Sequence, residues 1–169
     1  MEIFFAENTS EDHLELDEDE SRHVIKVMRH QIGDELMVTD GKGKLFRTRL
    51  SGQQRKMAIV EIAEIVNQQL PPSPSIHIAI AHTKNMDRFE WFLEKATEIG
   101  VTEITPVICA RSERNSIKPD RLLKILTGAM KQSLRLWRPQ LNAAVSLKSF
   151  LKLQQEEGMA SFICHCQSE

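Results

Sequence analysis

Two stretches of this chain carry side chains suited to gripping an anion. In one, Arg111-Ser112-Glu113-Arg114 is followed by Lys131-Gln132-Ser133-Leu134-Arg135 and then Trp137-Arg138. On a helix, Lys131 and Arg135 lie one turn apart on a shared face. Gln132 offers both a donor and an acceptor, enough to read a base edge. Trp137 beside Arg138 offers a stacking surface. The plainer reading is a basic helix end that suits its own dipole, with Trp137 in a core. In the other stretch, Arg22, Lys26 and Arg29 recur at helical spacing. Arg47 and Arg49 share one face of a strand, and Lys42 and Lys44 flank a turn. Such a display can track phosphates; the alternative is a solvated basic face.

Other chemistry is sparse. GxGxxG and GxxxxGK[ST] are both missing, which argues against the usual dinucleotide and P-loop sites. Cys164-His165-Cys166 invites a metal, but in a strand His165 faces away from the two cysteines. No second ligand pair stands at zinc-finger spacing, so a strand end is expected and no metal. Ser, His and Asp occur without a motif that sets their geometry as a triad. Glu90, Glu94 and Glu98 repeat every fourth residue, at a cost of roughly 0.2–0.5 kcal/mol per adjacent pair. That stripe is either solvated or faces bases from 109–140.

The formal charge of -2 hides strong blocks. Residues 1–20 hold nine acids and no Lys or Arg, residues 21–60 a net of +6, residues 61–108 a net of -4, and residues 109–140 again +6. Localised basic blocks in an acidic chain suggest contact with a polyanion, unless they reflect chance alternation on solvated faces.

The elements that must position these groups fall into two parts. Asn67-Gln-Gln-Leu-Pro-Pro-Ser-Pro-Ser75 can continue neither a helix nor a central strand, and residues 71–75 read as a stiff linker. Residues 1–70 read as a small β-barrel-like domain. It has a short strand over Met1–Phe5, one helix over 17–30 capped by Asp17, and strands at Leu36–Thr39, Leu45–Leu50 and Met57–Val66. Asp40-Gly-Lys-Gly43 makes a hairpin turn, and the broken alternation near Ala63 predicts either a bulge or a strand end there. Residues 76–169 alternate strand and helix: Ile76–Ala81, a helix from Asp87 stopped by Gly100, Ile104–Cys109, a helix led by Pro119, a helix capped by Ser146, and a last strand at Ala160–Cys164. That order implies an α/β domain with a largely parallel sheet.

Composition sets the outer limits. At 41% apolar and 27% charged over 169 residues, the chain suits one large or two small globular domains. No apolar run approaches the ~20 residues of a membrane-spanning helix. The start lacks a basic-then-apolar leader, and three cysteines are too few for a disulfide scaffold, so a cytoplasmic protein with no membrane partner is expected.

Three ordered motifs resemble one family. His23-Val-Ile-Lys-Val-Met-Arg29 is followed by Gly33-Asp34 and Asp40-Gly41-Lys42-Gly43. Lys84-Asn-Met-Asp-Arg88-Phe-Glu90 leads through Glu94-Lys95-Ala96-Thr-Glu98-Ile-Gly100-Val101 to Ile104-Thr-Pro106. Ser112-Glu-Arg114 precedes Lys131-Gln132-Ser133, Arg135 and Pro139. Together they resemble RsmE-type rRNA methyltransferases. The resemblance implies a PUA-like RNA-binding domain, then a methyltransferase domain of the knotted SPOUT class. It implies S-adenosyl-L-methionine as methyl donor, N3 of a uridine in 16S rRNA of the small ribosomal subunit as acceptor, and a homodimer. With that resemblance, Arg114 or Arg135 becomes a candidate for stabilising the uracil anion, and Gln132 for orienting the base. Arg22, Lys26, Arg29, Arg47, Arg49, Lys84, Arg111 and Lys131 become candidates for holding RNA. The family's Gly-Pro-Glu-Gly-Gly-like and Leu-Arg-Thr-Glu-Thr-like stretches, which form its knot and most of its cofactor pocket, do not occur here. The resemblance places them beyond Glu169. It therefore implies a C-terminally truncated methyltransferase domain, inactive alone, with no direct cofactor ligand between Met1 and Glu169. Lys131 also stands where many relatives carry an acid. The alternative function is a non-catalytic RNA-binding module, or a purely structural ribosome-associated protein.

Overall fold

A computed structural model of the chain describes residues 2–10, 12–110, 112, 118–157 and 160–164. Its first half is built on a six-stranded sheet. The strands are β1 (Phe4–Phe5), β2 (Asn8–Thr9), β3 (His13–Glu15), β4 (Glu35–Thr39), β5 (Lys44–Gln54) and β6 (Met57–Gln68), in the order β1-β4-β5-β6-β3-β2. β1 runs parallel to β4 and the other pairs are antiparallel. Period-two alternation sends Phe46, Thr48 and Leu50 of β5 inward and Arg47 and Arg49 outward. The inward set packs with Phe4, Leu14, Leu16, Val24 and Val38.

The Asp40–Gly43 hairpin forms as expected. Asp40 Oδ1 accepts the N–H groups of Lys42 at 2.7 Å and Lys44 at 3.1 Å, an Asx turn. The bulge is also present: Arg47 faces Glu64 and Thr48 faces Ile62, so Ala63 has no partner in the ladder. Two expectations fail here. The sheet is open, because β1 and β2 at its two ends do not pair among the described residues. The single helix over 17–30 is a short α1 (Glu18–Arg22) that widens into a π-helical segment, His23–Val27. Asp17 does cap α1, accepting the Glu20 N–H at 2.8 Å. The wider turn sets His23 and His30 edge-on against Phe4, and Val24 in the core.

The second half holds a parallel sheet. Its strands are β7 (His77–Ala81), β8 (Glu103–Ile108), β9 (Gln140–Leu141) and β10 (Val145–Ser146), all parallel to their partners. β7 takes one edge of β8. β9 and β10 share the other, against Glu103–Ile104 and Val107–Ile108, like one interrupted strand. The helices are α2 (Met86–Ile99), α3 (Pro119–Gln132) and α4 (Leu147–Glu157). α2 and α3 seal the core through Phe89, Leu93, Leu122 and Leu126. Asn85 caps α2, Gly100 ends it in the left-handed region at φ 97°, and Pro119 opens α3. Ser146 Oγ accepts the Ser149 N–H at 3.0 Å at the start of α4.

The expected strand over Ala160–Cys164 is not formed. Those residues are irregular, with Phe162 and Ile163 exposed, and none of the described strands pairs with them. The chain's last residues, His165 to Glu169, lie outside the described residues. The expectation that the knot-forming stretches fall beyond Glu169 therefore concerns nothing that the structure describes. β2, β3, β9 and β10 were not anticipated, since two or three residues are too short to show a period. No described helix is long and apolar enough to cross a membrane.

Candidate functional site

The second basic block folds into the junction between the two sheets. α3 ends at Gln132 and Leu134 turns into the left-handed region at φ 55°, so Arg135 is off the helix and does not share a face with Lys131. Lys131 forms an ion pair with Glu20 of α1, both largely out of solvent. Glu20 also accepts the Phe5 N–H at 3.2 Å, so one carboxylate ties α3 to β1. An acid at position 131 would repel Glu20, which fits the lysine found there.

Arg135 is spent on α2. Its Nε donates to the Glu98 carbonyl at 2.6 Å, satisfying one orphan acceptor of the helix end. The guanidinium lies over Gly100, where a Cβ would sit 2.7 Å from Nη1. Arg138 crosses the junction, donating to Thr127 Oγ1 at 3.2 Å and to Glu7 Oε1 at 2.9 Å. Its guanidinium carbon stands 4.7 Å from the centre of the Phe5 ring. Lys124 pairs with Asp19 and holds that carboxyl below the usual carboxylate range.

Trp137 belongs to the same junction. Its Nε1 donates to the Gln69 carbonyl at 3.3 Å, and its backbone bridges that of Lys42. The Gly43 N–H donates to Leu136 O at 2.8 Å, and the Arg138 N–H to Gly41 O at 2.9 Å. A Cβ on Gly43, at φ 99°, would come within 2.7 Å of the indole. The hairpin glycines thus serve close approach of the second half as well as the turn. A cavity of about 590 Å³ remains at the junction, lined by Glu7, Lys42, Arg135, Trp137 and Arg138. It opens at the amino ends of β8 and β9, beside Thr102, Glu103 and Gln140.

Open parallel sheets bind ligands at the other, carboxyl edge. There β7 leads into His82, Thr83, Lys84 and Asn85, and β8 into Cys109. His82 is buried, and neither ring nitrogen has a hydrogen-bond partner. Phe89 meets it edge-on at 6.3 Å. Nothing in the sequence marks His82, since a lone histidine after a strand carries no signal; its burial singles it out. Thr83 and Asn85 are occupied in capping α2. Lys84 is exposed in the same loop. Arg111 and Arg114, with His165, Cys166 and Glu169, lie outside the described residues. Among those described, one unpartnered imidazole is too little to hold the adenine, ribose and amino-acid ends of S-adenosylmethionine. No described group of three or more His, Cys, Asp or Glu side chains is placed to hold a metal.

The first basic block is divided. Arg47 pairs with Glu64, and Arg49 lies 3.5 Å from Glu35. Arg22 pairs with Asp19 at 3.3 Å. Lys26 and Arg29 are exposed and make no ion pair among the described residues. Gln132 is exposed at the end of α3. The glutamate stripe is answered in part from α3, in line with one of its two readings. Arg121 Nε lies 2.6 Å from Glu90 Oε1, while Lys95 bridges Glu94 and Glu98 at 2.8 Å each.

Comparison with known proteins agrees with this layout. Residues 71–169 match the family model described as an RNA methyltransferase domain, and residues 16–63 match an RNA methyltransferase PUA domain. A probable rRNA-methyltransferase from Porphyromonas gingivalis superposes with a TM-score of 0.76 at 37% identity, covering 89% of this chain and 63% of that one. Ribosomal RNA small subunit methyltransferase E from Neisseria gonorrhoeae, solved bound to S-adenosyl methionine, gives 0.70 at 28% identity, covering 95% of this chain and 66% of that one. The Synechocystis protein of the same name is 32% identical over 132 residues, 75% of this chain and 42% of its own length. The chain spans about half the length of the curated relatives it matches. It belongs to the RNA methyltransferase family, in the RsmE-type arrangement of a PUA domain followed by a methyltransferase domain.

Proposed function

We propose that this chain works in the methylation of N3 of a uridine in 16S rRNA, with S-adenosylmethionine as the methyl donor and a homodimer as the working form. The observation that carries the reading is the family match over residues 71–169 joined to a PUA domain over 16–63. Residues 1–70 hold the RNA, and 76–169 contribute to the catalytic domain. The interlocked junction supports a fixed spacing between the RNA-holding surface and the carboxyl edge of the parallel sheet.

The chemistry asks for removal of the N3 proton and for stabilisation of the negative charge that spreads to the uracil oxygens. Arg114 is the first candidate for that cation; Arg135, held on the Glu98 carbonyl at the junction, would have to leave that contact to serve, and Gln132 is the candidate for orienting the base. Lys84 and Arg111 are candidates for RNA contact near the sheet. Lys131 serves the junction through Glu20 and is set aside for RNA contact.

The test, in full-length context, is transfer of labelled methyl from S-adenosylmethionine to small ribosomal subunits, read as N3-methyluridine by mass spectrometry of the digested 16S rRNA. Label at another base or position would refute the N3 assignment. Methylation at the normal rate by Arg135→Ala would remove Arg135 from the list. Because Arg135 also caps α2, at a cost of about 2 kcal/mol if removed, its melting curve is read alongside.

A further inference from the structure

The turn that follows the π-helical segment is closed in a strained way, and its side chains point to solvent. The Met28 N–H donates to His23 O at 2.9 Å, and the His30 N–H to Val24 O at 3.1 Å. Between them Arg29 takes φ 63°. This is a left-handed helix cap of the Schellman kind, one residue wider than on an α-helix. That position favours glycine, because a Cβ there crowds the following carbonyl. Arg29 stands there exposed, with no ion pair or hydrogen bond among the described residues. No contact among the described residues accounts for an arginine at a strained position.

Its neighbours share this character. Lys26 is exposed and unpaired among the described residues. Val27, Met28 and Ile32 are 64%, 44% and 75% exposed. The carboxylate of the turn, Asp34, is exposed but engaged within the turn, accepting the Gln31 N–H at 2.9 Å and lying 3.2 Å from His30 Nδ1. The turn therefore presents two cations and three apolar side chains together. Beneath them, Val24 and the Phe4–His23–His30 contacts anchor it.

We infer that the 26–32 turn is where the first domain grips RNA with unpaired bases, Arg29 and Lys26 on phosphates and Val27, Met28 and Ile32 against base faces. This rests on the reading that residues 1–70 hold RNA. A duplex hides its base faces and offers mainly phosphates and sugars, whereas a single strand or loop offers phosphates and base faces side by side. A second copy of the chain is a poor occupant. A two-fold contact of the patch with itself would bring Lys26 and Arg29 against their own copies, with Asp34, already engaged by His30 and the Gln31 N–H, as the one acid of the turn to set against them.

The test is fluorescence anisotropy of the 169-residue chain with a labelled single-stranded RNA of about 16 nucleotides, and with the same strand in duplex. Thermal melts and sedimentation are run on the same samples. The variants are Arg29→Gly, Ile32→Ser and, as a remote control, Lys152→Gln. Arg29→Gly is expected to raise the melting temperature by about 2–4 °C. It is also expected to weaken single-strand binding about fivefold or more and to lower the salt slope by about 0.7. Ile32→Ser narrows the preference for single strand over duplex, and Lys152→Gln changes neither reading. Wild-type binding that Arg29→Gly leaves unchanged overturns the inference alone, as does equal affinity of the wild type for both RNA forms. Self-association abolished by Ile32→Ser with RNA affinity intact assigns the patch to a second copy and also overturns it. A wild-type chain that binds neither RNA refutes the RNA-holding reading itself, and the inference falls with it.

Discussion

The two basic blocks carry the same net charge and meet different fates. In 109–140, Lys131, Arg135 and Arg138 are drawn into the junction, whereas Lys118, Arg121 and Lys124 stay exposed. Lys124, Lys131 and Arg138 each meet an acid from the first twenty residues, and Arg135 meets a helix end. The block at 21–60 keeps Lys26 and Arg29 free of any such partner among the described residues. The acidic N-terminal stretch and the second basic block are thus two halves of one junction. A charge sum locates neither a surface nor a ligand; what decides is whether an opposite charge lies within reach in the fold.

That contrast can be broken most strongly at Lys131. Removing it as Lys131→Ala leaves Glu20 largely buried without its cation, and a loss of about 3 kcal/mol is expected in urea unfolding. A loss under ~1 kcal/mol, as for an exposed pair, would place this contact with the surface ion pairs. Gly43→Ala comes next. Its Cβ would meet the Gln69 carbonyl at 2.6 Å and the Trp137 ring at 2.7 Å, at a φ that alanine resists. A loss of about 2 kcal/mol is expected, with quenched or shifted tryptophan emission reporting the displaced indole.

Smaller effects sharpen the other side of the comparison. Arg47→Gln, on the outer face of β5, removes an exposed pair with Glu64 and should change stability by no more than ~0.5 kcal/mol. A larger loss would mean that this face is built as tightly as the junction. The smallest effect is acid-dependent. Lys124 holds the Asp19 carboxyl below its ordinary 3.8, so the folded chain binds that proton less readily than the unfolded one. The resulting stability is present above the ordinary value and fades as pH falls through the lowered one. The gap in urea midpoint between wild type and Lys124→Gln should therefore be visible at pH 7 and shrink below pH 3.8. A gap that stays constant into acid would dissociate it from Asp19.

Local chemistry was legible in the sequence and distant partnership was not. Gly100, Pro119, Ser146 and the Asp40 turn act through their own backbone and immediate neighbours, so their residue types suffice. The unpaired Ala63 was visible as a broken alternation. Four residues separate Lys131 from Arg135, the spacing of one helical face. Leu134 in the left-handed region parts them, and nothing in its type announces that. The π-helical widening at His23 was hidden for a related reason, since its apolar spacing passes for an ordinary helix. His82 draws attention only through what it fails to touch. The Ala160–Cys164 run has strand-like composition, yet a strand also needs a neighbour, and none of the described strands pairs with it.

The backbone bonds from Gly41 and Gly43 to Arg138 and Leu136, with the Trp137 bond to Gln69, have a mechanical consequence. They make the covalent connection through residues 71–75 redundant for holding the halves together. A chain nicked once beyond the exposed Leu70 should migrate intact in gel filtration and fall into two pieces only in denaturant. The proline-rich segment is thus a tether for assembly, and once the halves have met, the fastening is done by the peptide groups of a hairpin.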